Sequence, residues 1–340
     1  MNEKNPMLVV EDLRVSYHTY AGEVKAVRGV SFAIKEGEAL AIVGESGCGK
    51  TVTAKAIMGL IKKPQGEIKE NSKILYRGEN ILTYNQKQWQ AYKGGECAII
   101  FQDALVALNP TMRVGRQIME NLMVHKRMNR KMAEKEAVEI LRKVGIPEPE
   151  KRAKQYPHQF SGGMRQRVMI AIAFACDPKI LICDEPTTAL DVTIQSQILD
   201  LIKELQKEHK TTVIMITHDL GIVANIAQEI AVMYAGVIVE KGSSRDVFYH
   251  PRHPYTWALI ESVPHFNLKN KEALASIPGN PPDLLNPPTG CPFSTRCKYC
   301  MQICKERMPE RFEFENGHTA ACWLHHPLAP KVMMPDYKNE

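Results

Sequence analysis

No apolar run in this sequence is long enough to cross a bilayer. The longest, Val168 to Cys176, is closed by Arg167 and Asp177, far short of the roughly 20 residues that a membrane helix needs. The segment Met1–Leu13 lacks the basic start, apolar stretch and small-residue cleavage site of a secretory signal. The chain is therefore expected to stay in the cytosol, with its thiols reduced. There is no block of one charge either. The 44 Lys and Arg are interleaved with 38 Asp and Glu, so the net charge of +6 forms no basic stripe, which argues against nucleic acid as a partner. Internal repeats and low-complexity tracts are absent, and a content of 44% hydrophobic and 24% charged residues excludes a disordered or collagen-like chain.

What is present divides the chain in two. A length of 340 residues suits one large domain plus an appendage, with boundaries expected at 1–249 and 250–340. Up to about Asp246, short apolar runs alternate with helical patterns, which predicts an α/β fold with a mostly parallel core sheet. Ala39–Val43, Ala98–Phe101, Ile180–Asp184 and Val213–Thr217 read as strands buried on both faces, because they lack polar alternation. Leu8 to Ile34 alternates more and predicts an antiparallel β subdomain. Between Val114 and Tyr156, apolar residues at helical spacing (Ile118, Leu122, Ala137, Ile140, Leu141, Val144) predict a helical subdomain, extending over about 114–176. Beyond His250 the texture changes. Thirteen of the 21 prolines lie between Pro251 and Pro335, and five of the nine cysteines between Cys291 and Cys322. Such proline density suppresses long helices and sheet interiors, so an irregular C-terminal module is expected.

Gly44-Glu45-Ser46-Gly47-Cys48-Gly49-Lys50-Thr51 matches the phosphate-binding loop pattern, between a strand candidate and a helical pattern as the motif requires. Gly44, Ser46, Gly47, Cys48 and Gly49 bring backbone N–H groups to a nucleotide's phosphates at a helix N-terminus. Lys50 adds a point charge, and Thr51 offers a hydroxyl to Mg²⁺. Ile180 to Glu185 is an apolar strand ending in two carboxylates, of which Asp184 suits Mg²⁺ and Glu185 the activation of water. Cys48, beside Lys50 and a helix start, is expected to favour thiolate and to be open to alkylation.

Between these motifs, Phe160-Ser161-Gly162-Gly163-Met164-Arg165-Gln166-Arg167 resembles the signature of ABC ATPases. Gln102 precedes it, and Ala189-Leu190-Asp191 and His218 follow in the order of that family. The resemblance covers Leu8 to about Gly242. It implies a P-loop NTPase fold using ATP and Mg²⁺, and two subunits paired head to tail, with the loop of one facing Ser161, Gly162, Gly163, Gln166 and Asp191 of the other across ATP. It further implies that Glu185, His218 and Gln102 serve hydrolysis, that Thr51, Gln102 and Asp184 meet Mg²⁺, and that Tyr17 stacks on adenine, with Tyr20 a nearby rival.

Phe101-Gln102-Asp103, Leu108-Asn109-Pro110-Thr111, His253-Pro254-Tyr255-Thr256 and Ile277-Pro278-Gly279-Asn280-Pro281-Pro282 resemble the ATPase subunits of dipeptide, oligopeptide and nickel importers, D-type subunits in particular. The implied partners are a homologous F-type ATPase subunit, two permeases and, through them, an extracellular binding protein, with this chain at the cytoplasmic face of the membrane. Ala104, Val106 and Ala107 depart from the Pro, Thr and Ser expected after the loop glutamine. For the tail cysteines, spacing alone leaves a Cys₄ zinc site and an iron–sulfur cluster both open. The resemblance implies a [4Fe–4S] cluster on Cys291, Cys297, Cys304 and Cys322, with Cys300 not required. The function expected is ATP hydrolysis powering peptide import. The alternatives are a nickel or small-solute importer and, more distantly, an ABC protein acting on nucleic acid or ribosomes.

Overall fold

The structure is a computed structural model that describes residues 6–188, 190–223, 226–262, 277–333 and 337. It forms two compact units, one built from Met7, Ile34–Glu38 and Asn80–Met215 and the other from Leu8–Ala33, Ala39–Glu79 and the chain from Ile216 onward.

In the first unit the strands Cys97–Ile100 and Ile180–Asp184 pair in parallel, Cys97 opposite Ile180 and Ile100 opposite Cys183. Every residue of Ile180–Asp184 is buried, as is every residue of the strand Thr212–Thr217, which explains why their sequences show apolar runs without alternation. The Cys97–Ile100 strand starts one residue earlier than its sequence suggests, because Cys97 has a ladder partner and Phe101 has none. Helices supply the rest. Val114–His125 buries Val114, Ile118 and Leu122, and Arg130–Lys143 buries Ala133, Ala137, Ile140 and Leu141. Both stripes have the i, i+4 spacing of a one-sided core face. Asn129 caps the second helix by accepting from the Met132 N–H at 2.9 Å, satisfying one of the orphan donors of a helix start. Gly162–Phe174 and Val192–His209 complete the set.

In the second unit the long strand Leu8–Thr19 pairs antiparallel with Lys73–Tyr76 and with Gly66–Ile68, and Gly22–Ile34 lies on its other side. A second ladder begins with Ala39–Val43, parallel to Glu229–Tyr234. Val237–Ser243 then runs antiparallel to Glu229–Tyr234. The tail adds two short strands outside it. Thr319–Ala320 pairs with Lys241 and Glu240, and Phe312–Glu313 pairs in turn with Thr319–Ala320.

The tail is irregular as its prolines dictate, so hydrogen bonds to particular side chains hold it in place. Glu240, 1% exposed, accepts from the Arg252 N–H at 2.7 Å, the His253 N–H at 2.9 Å and His318 Nε2 at 2.7 Å. Arg28 donates to the Pro288 carbonyl at 3.0 Å, and the Lys25 N–H to the Leu284 carbonyl at 2.9 Å. Among the described residues no helix is long and apolar enough to cross a membrane.

Candidate functional site

The second unit carries the glycine-rich loop. Between the buried strand Ala39–Val43 and the helix Lys50–Ile57, the chain bends in a way that three glycines permit. A methyl group on Gly44 would sit 2.1 Å from the Met233 carbonyl oxygen. On Gly49, whose φ is +101°, it would sit 2.4 Å from the Ala26 carbonyl oxygen. Gly47 has φ +78° but open space where a side chain would go. The loop is thus pressed against the unit's own backbone at Gly44 and Gly49 and open at Gly47.

Lys50 is 4% exposed, and its Nζ donates to the carbonyls of Gly44 at 2.7 Å and Glu45 at 3.0 Å. The ammonium is therefore held over the mouth of the loop, where a phosphate would compete for it. Thr51 follows in the first turn of the helix. Cys48 corrects its expected reactivity. It is 4% exposed, and burial pushes its thiol up, outweighing the opposing pull of Lys50, whose Nζ lies 4.0 Å from Sγ. Tyr17 is half-buried on its strand, opposite Gly66, and burial raises its hydroxyl pKa, whereas Tyr20 is fully exposed. His218 follows the Thr212–Thr217 strand, and the next residue, Asp219, donates its N–H to Thr217 Oγ1 at 3.1 Å.

The first unit carries the carboxylates and the Ser-Gly-Gly turn. Asp184 ends its strand 3% exposed. Glu185, the next residue, has φ +48°, a left-handed conformation in which a non-glycine residue stores strain. Its Oε2 accepts from Gln102 Nε2 at 3.2 Å and from Thr188 Oγ1 at 3.0 Å, so two residues expected separately to serve hydrolysis, Gln102 and Glu185, are in contact. Ser161 caps the Gly162–Phe174 helix, its Oγ accepting from the Met164 N–H at 3.4 Å. Asp191 caps the Val192–His209 helix through the Ile194 N–H at 2.9 Å. These two helix starts adjoin, because a methyl on Gly163 would lie 2.9 Å from Ile194 Cγ2. Gln166 points inward and is 3% exposed. Ala189 lies outside the described residues.

The cysteine tail overturns an expectation. Among the described residues no group of three or more His, Cys, Asp or Glu side chains could hold a metal ion. A [4Fe–4S] cluster on Cys291, Cys297, Cys304 and Cys322, and a zinc ion in its place, are therefore not supported. The physical reason is geometric: among the described residues these thiols are not gathered about a common point where three or more could reach one ion. Burial raises the pKa of Cys291, Cys297 and Cys322 as they stand. The spacing was a fair signal of proximity, since these thiols perturb one another's titration, but it carried no information on their orientation.

Two contributors were missed. Thr188, on Glu185, lies in an ordinary turn with no sequence signal. Arg296, in the tail, reaches Glu45 of the loop, and a pairing across 251 positions leaves no local trace.

Comparison with known proteins agrees with this geometry. Residues 27–188 match the ABC transporter family, and residues 239–304 match the C-terminal region of oligopeptide/dipeptide transporters. The chain is 54% identical over 330 residues to an oligopeptide transport ATP-binding protein of Bacillus subtilis, covering 97% of this chain and 92% of that one. It is 52% identical over 331 residues to a dipeptide transport ATP-binding protein of Lactococcus lactis, covering 97% and 94%. A dimeric ATP-binding cassette solved with ADP and Pi aligns with a TM-score of 0.63 at 26% identity, over 70% of this chain and 99% of that one. That likeness extends to the whole P-loop ATPase fold.

Proposed function

Since the chain belongs to the ABC transporter ATP-binding proteins of the oligopeptide and dipeptide transport family, we propose that it is the motor subunit that drives peptide import through permease partners. The observation that carries this reading is the reach of the likeness. Identity of 54% over 330 residues takes in the tail as well as the nucleotide motifs, and residues 239–304 match a region particular to oligopeptide/dipeptide transporters.

The chain is an ATPase, and its residues divide the work as follows. The loop amides from Gly44 to Thr51, other than that of Glu45, whose N–H is given to the Tyr255 hydroxyl, bind the β- and γ-phosphates together with the Lys50 ammonium, which exchanges its hold on two carbonyls for the nucleotide. Tyr17, half-buried and fixed on a strand, presents a ring to the base. Thr51, Asp184 and Gln102 offer a hydroxyl, a carboxylate and an amide oxygen, the hard donors that Mg²⁺ takes. The cation, when bound, neutralises charge on the phosphates. Glu185 takes the proton of the attacking water, with Gln102 and Thr188 fixing its carboxylate, and His218 faces the γ-phosphate. Ser161, Gly162 and Gly163, at a capped helix start beside Asp191, form an anion-binding surface for the nucleotide of a second subunit. One chain thus supplies two halves of two sites. The partner that fits is a homologous F-type ATPase, with two permeases and an extracellular binding protein completing a transporter that holds this chain at the inner face of the membrane.

The test is uptake of labelled peptides, with nickel as comparison, in cells carrying the wild-type chain or Glu185→Gln. Peptide uptake falling while nickel uptake is unchanged is the expected outcome. Loss of nickel uptake alone would move the cargo to metal, and no change in either would overturn the importer reading.

A further inference from the structure

The phosphate-binding loop contains one acidic side chain, Glu45. A carboxylate in a loop built to collect phosphates opposes the ligand by like charge, so its disposal matters. The tail disposes of it. Arg296 Nη1 lies 2.5 Å from Glu45 Oε2, and Nη2 lies 3.0 Å from Oε1, a two-pronged pairing of a guanidinium with a carboxylate. The side chain of Arg296 is only 3% exposed and that of Glu45 25%. The guanidinium is itself held on every side. It donates to the carbonyls of Pro278 at 2.8 Å and Ile277 at 3.0 Å and to the Tyr234 hydroxyl at 3.1 Å.

The backbone of Glu45 is engaged as well. Its N–H donates to the Tyr255 hydroxyl at 2.8 Å, and its carbonyl accepts from Lys50. One residue therefore joins the tail arginine, the buried Tyr255 and the loop lysine. Arg296 lies far from the sequence motifs and touches no nucleotide-binding atom, so any effect it has on ATP passes through Glu45.

We propose that Arg296 is a positioning residue for ATP binding, holding the Glu45 carboxylate against the tail and neutralising it, so that a docked tail is a condition for tight nucleotide binding. This rests on the reading of Gly44–Thr51 as the ATP site. With Arg296 lost, Glu45 keeps its charge without a partner, and the repulsion falls on the ground-state complex. Affinity should suffer while turnover of bound ATP changes little.

The experiment titrates a fluorescent ATP analogue into the full-length chain. Arg296→Met should raise Kd about tenfold, the size expected when one charge-assisted pair is broken. Adding Glu45→Gln to that variant should bring Kd back to within about threefold of wild type, since 1.4 kcal/mol corresponds to a factor of ten and most of it is electrostatic. In the assembled transporter the single variant should raise KM with kcat within about twofold. If Arg296→Met fails to fold, Arg296→Gln, whose amide nitrogen falls near the place of Nε and can still donate to the Pro278 carbonyl, carries the same comparison. An unchanged Kd, or a raised Kd that Glu45→Gln does not repair, would overturn the proposal. Lys50→Ala separates the two levels. Its loss of binding alongside an unaffected Arg296 variant condemns the arginine's role alone, whereas wild-type binding by Lys50→Ala condemns the ATP site.

Discussion

Replacing Glu240 by alanine should unfasten the tail from the strand that carries it. The carboxylate is fully enclosed, and three donors converge on it: two backbone N–H groups, from Arg252 and His253, and the His318 ring. Alanine would leave all three buried with no acceptor. A single orphaned donor costs about 1–3 kcal/mol, and loss of one member of a buried pair about 3–5 kcal/mol, so with partial relaxation the expected loss is about 3–5 kcal/mol. Glu240→Gln keeps one acceptor oxygen but turns an amide NH₂ toward a donor, and should cost about 2–3 kcal/mol for the same reason. Lys241→Ala, which removes a partly exposed pair with Glu229 at 2.9 Å, should cost under about 1 kcal/mol. Urea unfolding read by tryptophan fluorescence suits the question, because Trp257 and Trp323 lie in the second unit, close to this anchor in sequence. A loss under about 1 kcal/mol for Glu240→Ala, equal to that of Lys241→Ala, would refute the idea that a buried acceptor holds the tail.

Three further outcomes can be checked. Burial, aided by His325, lowers the His253 pKa from 6.5 to about 3. The unfolded chain therefore takes up a proton that the folded ring refuses, and stability should fall as pH drops from about 6.5 toward 3, by up to roughly 1.4 kcal/mol per pH unit. His253→Asn, which keeps an acceptor for the Tyr255 N–H, should flatten that part of a pH series of urea midpoints, and an unaltered slope would contradict the assignment. In the loop, Gly49→Ala should cost about 2–4 kcal/mol and most ATP binding because it combines positive φ with a backbone clash, whereas Gly47→Ala, strained but unobstructed, should cost only about 1 kcal/mol. Equal effects in thermal melts and nucleotide titrations would show that the clash had been relieved elsewhere. Maleimide labelling at pH 8, followed by peptide mass mapping, should modify the half-buried Cys300 well before the enclosed Cys48, and the reverse order would restore Cys48 as a reactive thiol.

The readable parts of this protein are those whose physics is local. Ile180–Asp184 and Ala39–Val43 announce themselves because strands buried on both faces need uninterrupted apolar residues, and both occur at the expected positions. Gly44 to Thr51 is legible because phosphate binding fixes glycine, lysine and hydroxyl in one short run. Gln102 and Glu185 are each assigned to hydrolysis through a family resemblance, but only the fold shows that they touch. What escaped depends on distant partners or on orientation. Glu240 reads as one more charge in a strand, and only the fold shows it enclosed beside His318. Cys48 was judged from its neighbours Lys50 and the helix start, when depth of burial decides its titration. The five tail cysteines have plausible metal spacing, yet spacing says nothing of how thiols face one another.

The two short tail strands bear on how readily the chain would aggregate. Val237–Ser243 is apolar through Val239, and the register Glu240 to Ala320 and Lys241 to Thr319 occupies part of its outer edge. Without that cover its free amides and carbonyls would be a template for a foreign strand. A chain ending before Phe312 would keep its whole nucleotide loop and still be prone to stick to its own copies. Tail truncations should therefore announce themselves first as precipitation during expression, before any measurement of ATP is possible.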